Sequence, residues 1–245
     1  MTLNVVATPI GNLGDLSPRA KEVLEKATLV IAEDTRMAKK LFLLTGIGGE
    51  KASLMAGPQS REFVSSHAQS SAKSRESAIS RCKEHEHIVL VTDAGTPAIS
   101  DPGSLFIDEF RRVYPDAKVV PIPGPSAAIA ALSVSGFPSS HFEFLGFIPH
   151  KKGREKLFTY IAHTSHTIVF YESPHRILKT LEALSGVLGD RVIMVGREMT
   201  KQFEEYPRGT ARELYDYYKN NPDTVRGEFS VVIGSTHKKS SDLVY

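Results

Sequence analysis

Four times in its N-terminal half the chain runs an apolar strand straight into a loop of glycine, proline or acidic residues and then into a helix. The stretches are "NVVATPIGNLGD", "TLVIAEDTR", "HIVLVTDAGTPAISDPG" and "AKVVPIPGPSAAIAAL". Strands separated by helices pair in parallel, because a parallel neighbour needs a crossover of about a dozen residues. The pattern therefore predicts an α/β domain with a parallel sheet. In such a sheet ligands bind outside the carboxyl ends of the strands, so the four loops are where a site is expected.

The first helix is well marked. Ser17 stands as a cap before Pro18, and Ala20, Val23, Leu24 and Ala27 follow at helical spacing, so a helix is expected over residues 18–27. From about Gly46 to Glu76 the chain is rich in Gly, Ser and Lys, and "SSHAQSSAKSRES" is too polar to pack. After about Pro121 the grammar changes: "HFEFLGFIP", "HTIVFYES", "RVIMVGRE" and "GEFSVVIG" read as strands with few helices between them, as in a mixed or antiparallel sheet. Ser173-Pro174 is expected to cap a helix carrying Ile177, Leu178, Leu181 and Leu184, and Thr210 with Glu213 matches a capping box. These signals divide the chain into an N-terminal domain over 1–120, a C-terminal domain over 121–235 and a polar tail over 236–245.

Composition narrows the function classes. Thirty Lys and Arg against 28 Asp and Glu leave a net charge of only +2, so an RNA partner has to be met by a local basic patch. "PHKKGREK", with Lys151, Lys152, Arg154 and Lys156, is the best such patch. The single cysteine, Cys82, has no partner for a disulfide or a zinc site, which fits a reducing compartment. The N-terminus has no basic start with a long apolar run behind it, and no apolar run approaches roughly 18 residues, so a soluble cytoplasmic protein with no membrane partner is expected.

The first loop does not match a phosphate cradle. Gly11 and Gly14 lack the third glycine of G-x-G-x-x-G, no Lys-Ser or Lys-Thr pair follows, and Pro9 removes an N–H donor. A tight turn and a loop for a ligand without phosphate both remain. In "TDAGTPAISDPG" the carboxylates Asp93 and Asp101 suit hydroxyls, amines or a sulfonium, although an Asp in such a loop also caps helices.

Together the loops resemble a known family. "TPIGNLGD", "AEDTR", "DAGTPAISDPG", "PGPSA", "GFIP", "YESPHR" and "REMTK" occur in the order found in the ribosomal small subunit methyltransferase I group of the tetrapyrrole methylase superfamily, over residues 3 to about 234. The resemblance implies a two-domain α/β fold of the class III methyltransferase type. It also implies a homodimer that transfers a methyl group from S-adenosylmethionine, folded in a cleft between the domains, to the ribose 2′-oxygen of a cytidine in 16S rRNA of the small ribosomal subunit. Carried over position by position, it makes Pro9, Asp93, Ala94, Gly95, Ala98, Ser126, Ala127 and Tyr171 the cofactor-binding residues, with Ile10 against the cofactor and Asn12 facing the substrate ribose. "SHAQSS" around His67, after "MAGPQSREF", departs from the His/Asn-rich stretch usual in that group, so any RNA recognition by that stretch is expected to differ in detail.

Methyl transfer from a sulfonium is an in-line displacement that needs the 2′-oxygen positioned and its proton removed. Asp34, Asp101, Glu198 and Lys201 are the catalytic candidates for that, with Glu33 and His175 behind them. Arg36, Arg176 and Arg197 join Lys151, Lys152 and Arg154 as candidates for RNA phosphates. For "AEDTR" an ion-paired helix start is an equally physical reading, and for Glu198 with Lys201 a surface ion pair. Two rival functions stand beside the rRNA enzyme: a tetrapyrrole or protein-residue methyltransferase of the same superfamily, and a non-catalytic RNA- or ribosome-binding protein.

Overall fold

The computed structural model describes residues 1–47, 61–66 and 72–236. The segment around His67 and nearly all of the expected polar tail lie outside the described residues. The chain forms two compact units that meet between Ser126 and Ala127. That boundary lies beyond Pro121 because the strand holding Pro121 is hydrogen-bonded into the first sheet, opposite Val5.

In the first unit β1 (Thr2–Val6), β2 (Leu29–Ala32), β3 (Glu62–Ser65), β4 (His87–Val91) and β5 (Lys118–Ile122) form a sheet in the order β3-β2-β4-β1-β5. Every pairing in it is parallel. Successive side chains go to opposite faces. Leu29, Ile31, Ile88 and Leu90 pack with Phe106 and Phe110 on one side, whereas Val30, Val89 and Val91 pack with Leu24 and Phe42 on the other. Burial on both faces explains why these strands read as unbroken apolar runs. The helices α1 (Pro18–Lys26), α2 (Thr35–Leu44), α3 (Ala72–Cys82) and α4 (Gly103–Val113) connect the strands. The expected first helix is α1, and the Ser17 hydroxyl accepts the Ala20 N–H at 3.1 Å. The edge strand β3 lies in the Gly-, Ser- and Lys-rich stretch from about Gly46 to Glu76, where no strand was expected; its residues are only half buried, as an edge permits.

The second unit opens with α5 (Ala127–Ser135), followed by β6 (Phe142–Phe147), α6 (Arg154–His163), β7 (Thr167–Glu172), α7 (Ile177–Leu188), β8 (Val192–Arg197), β9 (Arg208–Thr210), α8 (Ala211–Asn220) and β10 (Phe229–Ile233). Its sheet has the order β6-β7-β10-β8-β9, parallel at β6–β7 and antiparallel elsewhere. Three helices, α6 to α8, lie between these strands; α7 and α8 fall where helices were expected, and α6 where none was. One sheet face carries Ile168, Phe170, Ile193, Val195 and Val231 against Ile161, Leu181, Leu184 and Leu214, and the other carries Val169, Met194 and Val232 against Ala128, Ala131 and Leu132 of α5. The Thr210–Glu213 capping box is present. The Ser173 cap is not: α7 starts at Ile177, because the Ser173 N–H is held by the Glu172 carboxylate at 2.8 Å and residues 173–176 form a separate turn. Among the described residues no helix is long and apolar enough to cross a membrane, and no cluster of three or more His, Cys, Asp or Glu is placed to hold a metal ion.

Candidate active site

The carboxyl ends of β1, β4 and β5 are stitched together. Thr8 donates its N–H to Gly95 O at 2.9 Å and accepts the Gly95 N–H at 3.1 Å, while its hydroxyl reaches Thr92 O at 3.2 Å. Ala7 N–H bonds Ile122 O at 3.1 Å, and the Thr96 hydroxyl bonds Pro125 O at 3.0 Å. Such close approach needs small residues. Gly95 sits at φ +84°, and a Cβ at Gly124 would stand 3.0 Å from that of Ala7. Pro9, Ala94, Gly95 and Ala98 thus belong to one fixed rim, with Ile10 packed beneath it and Ser126 at its β5 end.

Strain is stored in that rim. Ala98 and Ser100 hold φ of +70° and +65°, values unusual for residues with a Cβ. Asp101 maintains the turn: its Oδ1 accepts the N–H of Ala98 at 2.9 Å and of Gly103 at 2.7 Å. Asp101 is therefore committed to the loop rather than offered as a base, although its buried Oδ2 has no hydrogen-bond partner among the described residues.

The end of β2 joins the same edge. The Asp34 N–H donates to Asp93 Oδ1 at 3.2 Å, Thr92 Oγ1 to Glu33 Oε2 at 3.1 Å, and Ser65 Oγ to Glu33 O at 3.2 Å. Glu33, Asp34, Thr35, Arg36 and Ser65 line an open depression of about 400 Å³. Here the ion-paired helix start expected for "AEDTR" is real. Asp34 caps α2 through the Arg36 N–H at 2.8 Å and binds the Arg36 guanidinium at 2.6 Å, which holds its carboxyl at about 2. A carboxylate that acidic is a poor proton acceptor. Asp93 differs: burial pushes its carboxyl up, and the charges of Asp34 and Asp101 add to this against the Asp34 N–H and Arg36. Asn12 turns inward on its own loop, accepting the Gly14 N–H at 2.9 Å.

In the second unit the sequence candidates separate into two sets. Glu172, at the end of β7 and 2% exposed, binds Arg176 Nη2 at 2.6 Å, accepts the Thr180 hydroxyl at 2.6 Å and lies 3.7 Å from Arg154 Nη1. The two arginines then donate to Ile148 O and Pro149 O at 2.7 and 3.2 Å. Arg154 and Arg176 are thus loop clamps, not free RNA ligands, and Glu172 is the residue the sequence reading passed over. Its signal was present in "ESPHR", where Glu172 and Arg176 stand four apart. Arg197 also has other work: it is 6% exposed and donates to Arg226 O at 3.0 Å and Phe203 O at 3.3 Å. Lys151 and Lys152 remain exposed on the clamped loop.

Glu198 and Lys201 are brought together. Lys201 Nζ lies 2.8 Å from Glu198 Oε1 and 2.9 Å from Glu228 Oε2, and the Glu228 N–H donates to Glu198 Oε1 at 3.1 Å. Burial pushes Glu198 up, but the Lys201 hydrogen bond, the Glu228 N–H and the charges of Lys201 and Arg197 outweigh it and leave its carboxyl lowered. Burial likewise opposes the charge on Lys201, and the two glutamates reverse it, so the ammonium is raised and stays protonated. A lysine base with a depressed pKa is not what this geometry makes. Tyr171 accepts the Ala128 N–H at 3.1 Å and so caps the first turn of α5, next to Ala127.

The comparisons agree on the kind of protein this chain resembles. Residues 2–215 match the family described as Tetrapyrrole (Corrin/Porphyrin) Methylases. A protein of Xylella fastidiosa named Ribosomal RNA small subunit methyltransferase I is 43% identical over 95% of this chain and 81% of its own length. The protein of that name from Bacillus subtilis is 39% identical over 98% of this chain and 77% of its own. Among solved structures, uroporphyrin-III C-methyl transferase of Thermus thermophilus complexed with S-adenyl homocysteine superposes with a TM-score of 0.60 at 16% identity, covering 96% of this chain and 97% of that one. At that identity the likeness is one of fold.

Proposed function

The chain belongs to the tetrapyrrole methylase family and, within it, to the ribosomal RNA small subunit methyltransferase I group, and on that premise we propose that it methylates the ribose 2′-oxygen of a cytidine in 16S rRNA with S-adenosylmethionine. The observation that carries the reading is the rim built by Thr8, Gly95 and Pro125: tight, backbone-rich and bordered by the Asp93 carboxylate. This chemistry fits the methyl donor. Carboxylate and carbonyl oxygens accept from an amino group and ribose hydroxyls, and no phosphate has to be accommodated. When bound, S-adenosylmethionine supplies an electrophilic methyl group on a sulfonium.

The chain's own residues would divide the remaining work. Asp93, Ala94, Gly95 and Ala98 hold the amino-acid and sugar parts of the cofactor, Pro9 and Ile10 give an apolar contact, and Ser126, Ala127 and Tyr171 bound it further along. Glu198, ionised at neutral pH, orients the ribose 2′-hydroxyl by accepting its hydrogen bond, and Lys201 keeps that carboxylate in place. Asn12, Arg36, Lys151 and Lys152 contact RNA. The family pattern further supports a homodimer working in the cytoplasm on the small subunit. The basic loop at Lys151 and Lys152 favours RNA over a tetrapyrrole, whose carboxylates would call for an enclosed cationic pocket.

Calorimetric titration with S-adenosylmethionine separates an enzyme from a non-catalytic RNA binder. Measurable heat and a raised melting temperature are expected. No heat and no thermal protection would remove the enzyme reading.

A further inference from the structure

Large aromatic side chains are usually buried, yet Phe147 is 58% exposed while its neighbour Ile148 is 1% exposed. A bulge causes this. In the β6–β7 ladder Phe142 faces Thr167 and Phe144 faces Val169, but Tyr171 is met by Phe147, one residue later than regular pairing would give. Gly146, at φ +64°, takes up the extra residue in a backbone conformation that glycine adopts without strain. Regular alternation would have sent Phe147 to the face where Leu145 packs against the helical core. The bulge puts it instead on the face of Phe144 and Tyr171, edge-on to Tyr171 with centroids 5.4 Å apart. Bulges of this kind re-aim a side chain.

The chain immediately after the ring is basic and held still. His150, Lys151 and Lys152 are exposed, and the carbonyls of Ile148 and Pro149 are clamped by Arg176 and Arg154 through buried Glu172. A fixed, solvent-facing ring beside two cations that are not paired within the described structure is the arrangement that binds single-stranded nucleic acid, with bases stacked and phosphates neutralised. We propose that Phe147 is a stacking platform for a nucleobase of the RNA substrate, with Lys151 and Lys152 on the adjoining phosphates. The proposal rests on the RNA methyltransferase reading above.

The chain contains no tryptophan, so Phe147→Trp introduces a single tryptophan at the ring, excited selectively over the eight tyrosines. A short single-stranded RNA containing cytidine is expected to quench that fluorescence, and S-adenosylmethionine alone to leave it unchanged. Val187→Trp, at a side chain 43% exposed near the C-terminal end of α7, serves as the unquenched control. In turnover, Phe147→Ala raises KM for small subunits roughly ten-fold at unchanged kcat and cofactor affinity, and Phe147→Tyr restores KM. Unchanged KM in Phe147→Ala overturns the proposal. Quenching by S-adenosylmethionine alone does so too, by assigning the ring to the cofactor, and a change of oligomeric state in Phe147→Ala assigns it to an interface between copies. Failure of the wild-type chain to methylate subunits would strike the functional reading instead, and quenching by RNA would still report on the ring.

Discussion

Arg176 Nη2 lies 2.6 Å from Glu172 Oε1, and the same carboxylate holds the Thr180 hydroxyl at 2.6 Å. Removing one member of a buried charge pair leaves the other without compensation, at a cost of about 3 kcal/mol. Glu172→Gln is therefore expected to lower the melting temperature by roughly 10 °C while the same protein still binds S-adenosylmethionine. An unchanged melting temperature would mean that the clamp contributes nothing to stability.

Asp93 is the carboxyl whose protonation is favoured by its surroundings. Its ionised form pairs with a cationic amino group, so cofactor affinity should fall as pH drops through the raised folded pKa. Asp93→Asn should bind at least about ten-fold more weakly at neutral pH and lose that pH dependence, as titration calorimetry across pH 4 to 8 would report. The stability sign is opposite: a raised carboxyl disfavours the fold when ionised, so Asp93→Asn should melt higher than wild type at neutral pH and converge with it in acid.

Asp34 carries the reverse shift, down to about 2. Its contribution to stability is fully present above the ordinary carboxylate range and is lost as pH falls through about 2. Asn also caps helices but cannot pair with the Arg36 guanidinium, so Asp34→Asn should melt slightly below wild type at neutral pH and Asp34→Ala lower still. Acid titrations followed by circular dichroism should show Asp34→Ala and wild type drawing together only below about pH 4.

Glu198 occupies a left-handed backbone conformation, φ +49°, beside Gly227 at φ +86°. A side chain at Gly227 would collide with the Glu198 carboxylate. Glu198→Gln, Lys201→Met and Gly227→Ala should all spare cofactor binding and slow single-turnover methyl transfer by roughly a hundred-fold. Loss of cofactor binding in the same variants would undo the division of roles between the two units.

What the sequence disclosed depended on how local the interaction was. The α1 cap at Ser17 and the Thr210–Glu213 box follow from spacing within a single turn, and the parallel first sheet follows from the regular alternation of strand, loop and helix; the structure has all three. The loops were recognisable as a site because their glycines and prolines disrupt regular structure wherever they occur. The arginines were misjudged because a charge written in sequence carries no record of its partner. Arg154, Arg176 and Arg197 meet carbonyls up to 29 residues away, and burial follows from those contacts. The edge strand β3 and the Gly146 bulge were hidden for the same reason, since each exists only through a neighbouring strand.

The most direct test is methyl transfer itself. Small ribosomal subunits from cells lacking this protein are incubated with it and with S-adenosylmethionine labelled in the methyl group, and the 16S rRNA is digested to nucleosides. The label is expected at 2′-O-methylcytidine. Label on a base, or transfer to a tetrapyrrole with none to the subunit, would contradict the account.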